Sequence, residues 1–171
     1  MKKCIIVFIT CFVFLDIVNA QDVTNDLYRD AVYVEGATKG SYYSLNYDHI
    51  FYLGQKQKIS YSIGFSLLKE SISFPLGLHL FTGNKQHHPE LSLYVNPFIK
   101  CYKTLFNNTN TSDKYLFITP TIGYRFQSSR SNFFFKVQAG PLLSLDPASD
   151  NFWRMEPKIY PYSSVALGLA F

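Results

Sequence analysis

Charge is scarce in this chain. Asp, Glu, Lys and Arg together make up 16% of its residues, against roughly a quarter in soluble domains. A soluble protein so poor in charge struggles to cover itself with hydrated groups, whereas one whose outer surface meets hydrocarbon does not. The formal net charge is only +4 and the basic residues are scattered. No basic stripe interleaved with aromatics is present, so nucleic acid is not an expected partner. Beyond the first twenty residues no stretch is apolar over the roughly 18 residues of a membrane-spanning helix. Cysteine is nearly absent too. Of three, Cys4 and Cys11 lie near the start, and Cys101 is the one that remains without that segment. A mature chain with one cysteine forms no internal disulfide, so its stability must come from the fold itself. Helical spacing of apolar residues is also hard to find at any point.

What is present begins with a targeting pattern. Lys2 and Lys3 precede an apolar run over residues 4–15, broken only by Thr10, and Asn19-Ala20 places a small residue before Gln21. Positive start, short apolar centre and small residue are the parts of a secretory signal peptide. Cleavage is expected between Ala20 and Gln21. Cys11 does not read as a lipidation site, because Phe8-Ile9-Thr10 lacks the small residue expected before it. The expected organisation is a signal peptide over 1–20, a short segment over 21–30 and one domain over 31–171.

Period-two alternation fills that domain and argues for strands. Val165, Leu167, Leu169 and Phe171 alternate with Ser164, Ala166, Gly168 and Ala170. Further runs centre on Phe133–Leu143, Leu116–Phe126, Leu91–Cys101, Ile72–Leu80, Ile59–Leu67, Leu45–Phe51 and the short Val32-Tyr33-Val34-Glu35. That makes eight strands, most about 9 to 13 residues long, against the roughly 9 to 11 that a tilted spanning strand needs. Connections over 54–57, 83–86 and 128–131 are short and polar. Those over 68–71, 107–113 and 146–161 are read as loops of the opposite end. Short turns on one side and longer loops on the other are the habit of membrane barrels. The expected fold class is therefore all-β: an eight-stranded antiparallel up-and-down transmembrane β-barrel.

An eight-stranded barrel has an interior just wide enough for side chains, with polar or small residues inward and apolar ones toward lipid. The alternation then places Glu35, Asp48, Lys100, Arg125 and Lys136 inside. These must pair, because a lone desolvated charge costs several kcal/mol. Aromatics near strand ends fit two interfacial girdles. Tyr42, Tyr43, Tyr102, Tyr115, Tyr160 and Tyr162 would lie toward the outside, with Phe51, Tyr52, Phe81, Phe126, Phe133 and Phe171 toward the periplasm. Pro75, Pro97, Pro120 and Pro141 sit within proposed strands; since proline removes a ladder donor, bulges are expected there.

The last strand, with Val165, Leu167, Leu169 and a terminal Phe171, resembles the C-terminal strand of bacterial outer-membrane barrels. The mature chain as a whole is similar to the small eight-stranded barrels of the outer-membrane protein A and X type. That resemblance implies residence in a Gram-negative outer membrane, contact with its lipids, and the barrel-assembly machinery as a transient partner that reads the terminal strand. It does not fix a function.

Chemistry is thin. A lipid deacylase needs a Ser–His pair with an acid at the lipid face; His49 lies at the wrong end for this and His79 points inward. His87-His88 with Glu90 nearby reads as a polar turn in preference to a metal site, and no catalytic residue, cofactor or metal is expected. Asn107-Asn108-Thr109 and Asn110-Thr111-Ser112 match glycosylation sequons and are read as a polar external loop. Phe152, Trp153, Arg154 and Met155 form an apolar and basic patch in the longest loop, a candidate anchor for an unspecified surface ligand. The expected role is structural or surface-interacting without enzymatic activity. The alternatives are a narrow channel for water or small solutes, a lipid-acting enzyme, and a soluble periplasmic ligand-binding barrel.

Overall fold

The computed structural model describes residues 27–37, 41–54, 56–68, 71–83, 86–100, 114–128, 131–147 and 155–171. Strands are β1 (Asp30–Gly36), β2 (Tyr43–Leu53), β3 (Gln57–Leu68), β4 (Ser71–Ser73), β5 (Leu76–Thr82), β6 (His87–Lys100), β7 (Lys114–Gln127), β8 (Phe133–Pro147) and β9 (Met155–Ala170). Every pairing is antiparallel and, apart from the closing one, joins neighbours in sequence except where β3 also meets β5 and β6 also meets β4. The final strand closes on the first, through Ala31↔Ala170 to Gly36↔Val165.

β4 and β5 form one stave of the wall. Both pair with β3 on one side and β6 on the other, and the register runs unchanged across the gap between them: Ser73↔Phe98 is followed in step by Leu76↔Val95. The barrel therefore has eight staves. The gap falls at Phe74-Pro75, where proline has no donor to give.

The expected bulges are not found. Pro97, Pro120 and Pro141 sit in unshifted register. Among the described residues a register shift lies instead between Ile50 and Tyr52, which turns both Phe51 and Tyr52 outward. A proline can stay in register if its missing donor is tolerated, so proline alone does not demand an extra residue. Tight turning falls to Gly83, whose φ of 108° few side chains allow.

Burial is inverted relative to a soluble protein. The interior holds Glu35, Asp48, Lys58, His79, His88, Glu90, Arg125 and Lys136 with many hydroxyls and amides, while Leu, Ile, Val and Phe side chains stand exposed on the outer face. An apolar floor of Ala31, Tyr33, Phe134, Ala166 and Ala170, backed by Tyr28, lies at the end where β1 begins and β9 finishes. There Asp30 and Phe171 exchange two backbone hydrogen bonds, at 3.1 and 2.8 Å.

Two sequence expectations change here. Phe81 (0% exposed) and Tyr162 (8% exposed) are interior residues, so they belong to no girdle. The 146–161 loop is also shorter than expected, since β8 runs to Pro147 and β9 starts at Met155. Met155 thus opens a strand. Phe152, Trp153 and Arg154 lie outside the described residues, as do Ala20, Gln21 and both sequons.

Candidate functional site

The chemistry-bearing cluster is the charged interior. It is built by alternation: residues two apart on one strand share a face, so Asp48 on β2, His79 on β5, Glu90 on β6, Arg125 on β7 and Lys136 on β8 all project into the lumen. At its centre, Arg125 Nη1 and Nη2 donate to the two Asp48 oxygens at 3.1 and 2.8 Å, the bidentate geometry that suits guanidinium to carboxylate. Nε donates to Glu90, and the remaining two donors reach Ser60 at 3.3 Å and Gln127 at 3.5 Å. All five guanidinium hydrogens thus have an acceptor. The guanidinium also stacks over Phe81, 4.3 Å from the ring centroid.

Glu90 is shared. Its second oxygen accepts from Lys136 Nζ and lies 3.1 Å from His79 Nδ1. His79 is held by Ser62 at 2.8 Å and Ser92 at 2.9 Å, and Ser92 donates to Glu90 in turn. Two acidic and two basic side chains pair in this core, with His79 wedged between the acids. Gly77 makes the space: a Cβ there would stand 2.8 Å from His79 Nε2 and 2.7 Å from Tyr94.

The network continues toward the far end. Lys136 Nζ donates to Tyr94 OH at 2.8 Å, and Tyr94 donates to Gln138 at 3.0 Å. Gln138 and Tyr162 both donate to Glu35, at 2.8 and 2.7 Å. Glu35 thus accepts from these two neutral donors and is tied to Lys136 through Gln138 and Tyr94.

Of the five interior charges expected from sequence, Asp48, Arg125 and Lys136 meet in one cluster. Glu35 joins it through Gln138 and Tyr94. Lys100 does not take part: it ends β6, exposed at the rim. Its place is taken by Glu90, which sequence reasoning missed. His87-His88, with Glu90 nearby, read as a polar turn, yet β6 starts at His87. The signal was available in the parity of Glu90, Ser92, Tyr94 and Asn96, all buried on one face.

Elsewhere the outer face carries small polar contacts, one of them between His87 Nδ1 and Tyr124 OH and another around Asp30. His49 Nδ1 lies 2.8 Å from Asp30, which also accepts from Tyr47 OH. Among the described residues no three His, Cys, Asp or Glu gather as a metal site. The terminal-strand residues Val165, Leu167, Leu169 and Phe171 all face outward, between 49% and 61% exposed.

Fold and site together define a class: a closed antiparallel β-barrel with a charged, hydrogen-bonded interior and an apolar outer wall. The sequence matches no protein-family model, no curated protein and no solved structure.

Proposed function

We propose that this protein is a non-enzymatic barrel of a Gram-negative outer membrane, exported by a signal peptide over 1–20, with a structural or surface-interaction role. It resembles the outer-membrane protein A and X type in architecture. The carrying observation is the inverted burial: paired charges fill the lumen while Val34, Leu45, Ile63, Leu78, Leu93, Ile122 and Leu167 are exposed around the wall. In water such a continuous apolar surface is an aggregation hazard; in a bilayer it is the required surface. A soluble ligand-carrying barrel needs the opposite faces. A channel needs an open lumen, and here Arg125, Lys136, Tyr94 and Tyr33 are buried across it. Membrane lipid is the permanent partner in this reading. The assembly machinery is a transient one acting on the strand that ends in Phe171, and the connections between strands are where a surface ligand would meet the protein.

Heat modifiability tests this. Protein extracted from outer membranes in mild detergent is run on SDS gels with and without boiling. The expected result is a mobility shift on boiling, from a closed barrel that resists the detergent cold. No shift, with the protein recovered from the soluble periplasmic fraction, overturns the membrane reading.

A further inference from the structure

Antiparallel neighbours exchange their hydrogen bonds at every second pair, because each residue sends its N–H and C=O to one side and the next residue sends them to the other. What a proline costs therefore depends on which way it faces. Pro75 sends its carbonyl to Gly64 N on β3 at 2.7 Å, and Pro97 sends its own to Phe74 N at 3.1 Å. Each removes one bond from its seam and leaves the partner bond in place. Pro161 stands opposite Pro141 in an unbroken β8–β9 ladder.

Pro120 and Pro141 differ. Pro120 points its carbonyl at β8, since a Cβ on Gly140 would lie 2.1 Å from that oxygen. Val137, on the same side of β8 as Pro141, points its carbonyl at β7, 2.5 Å from where a Cβ on Gly123 would sit. The β7–β8 register, Ile118↔Leu143 and Ile122↔Ala139, brings Pro120 opposite Pro141. Both prolines thus occupy one hydrogen-bonding pair and both of its donors are missing. The ladder accordingly stops after Ile118↔Leu143 and resumes at Ile122↔Ala139 in the same register. On the other side of β7, pairing with β6 is continuous from Phe126 to Lys114.

We propose that the barrel wall yields at this β7–β8 step, and that the β1–β9 seam, where the chain ends meet, is the better latched of the two. The closing seam has six consecutive pairs and the two extra bonds between Asp30 and Phe171. The β7–β8 step lies about midway along both strands, with Thr121 just inside it. Thr121 donates to Gln138 at 3.2 Å, Gln138 accepts from Tyr94, and Tyr94 accepts from Lys136. An opening here links the outer surface to the charged core through a short chain of hydrogen bonds, and it is the route by which water or an amphiphile reaches that core without passing either mouth. The inference stands on the strand ladder and does not depend on where the barrel resides.

Amide hydrogen exchange on the intact protein in detergent micelles tests it, with an internal control in each strand. Amides that face the step (Ile118, Ile122, Ala139, Leu143) are expected to exchange at least about tenfold faster than Thr119, Thr121 and Tyr94, which face the continuous β6–β7 seam at the same depth. The double variant P120T/P141T restores both donors and is expected to abolish that difference. Equal protection of the two sets overturns the proposal, as does faster exchange at Val32, Val34 and Leu167 of the closing seam. If the double variant fails to fold, the comparison within the unmodified protein decides alone.

Discussion

Glu90 holds two cations at once. One oxygen accepts from Arg125 and the other from Lys136, and all three side chains are buried. Attraction between buried ions roughly offsets their desolvation, so the intact pair adds little net stability; losing one partner is what costs. Glu90→Gln keeps the shape and removes the charge, leaving Lys136 without a carboxylate. A loss of about 3–5 kcal/mol is expected, read as a lower urea midpoint for unfolding from lipid vesicles. Adding Lys136→Met to that variant removes the stranded cation and should recover part of the loss, which a merely cavity-like effect would not do. Lys100→Gln is the control: exposed at the strand end, it should change stability by no more than about 0.5 kcal/mol. If Lys100→Gln matched Glu90→Gln, the ion network described above would be wrong.

Strands offer a test of what surrounds the wall. Leu93 on β6 faces outward, 48% exposed, and pairs with Leu78 and Pro120 near mid-height. Exposed to water, Leu93→Arg should be nearly neutral. Facing hydrocarbon at the midplane, it should cost about 2–4 kcal/mol. The measurement is the fraction folded into vesicles across a urea titration, and a neutral result counts against lipid contact at Leu93. The face that Leu93 occupies was legible in the sequence, because a period of two assigns every residue on a strand once one is assigned. The same rule correctly put Asp48, Arg125 and Lys136 inside. It failed where an element's boundary was set by local composition. His87-His88 has the composition of a polar turn, which puts Glu90 outside the strand although its parity matches Ser92. It failed differently at Lys100, where parity was right but the strand had already reached the rim. The prolines show the third limit: whether one breaks a ladder depends on the side its nitrogen faces and on what stands opposite, and Pro120 and Pro141 lie twenty-one positions apart in sequence.

At the scale of the whole barrel, permeability follows from how the lumen is filled. Small solutes need a continuous water path between the mouths. Here Arg125 is buried with all five donors engaged. Phe81 lies against one face of its guanidinium, and Phe134, which stacks on Tyr33 at 4.9 Å, lies near it. Tyr94 and Lys136 continue the obstruction toward the far end. Moving Arg125 or Lys136 leaves a buried carboxylate unpaired, and the buried rings of Phe81, Phe134 and Tyr94 fill the rest of the cross-section, so the plug is held by volume as well as by charge. Liposomes containing the purified protein should therefore swell in isotonic small sugars no faster than protein-free liposomes. The double variant Glu90→Gln/Lys136→Met, which keeps the bulk while removing two charges, should remain equally tight. Swelling at a porin-like rate by the unmodified protein would overturn the filled lumen and favour a channel. Swelling by the variant alone would mean that charge pairing, and not side-chain volume, keeps the barrel shut.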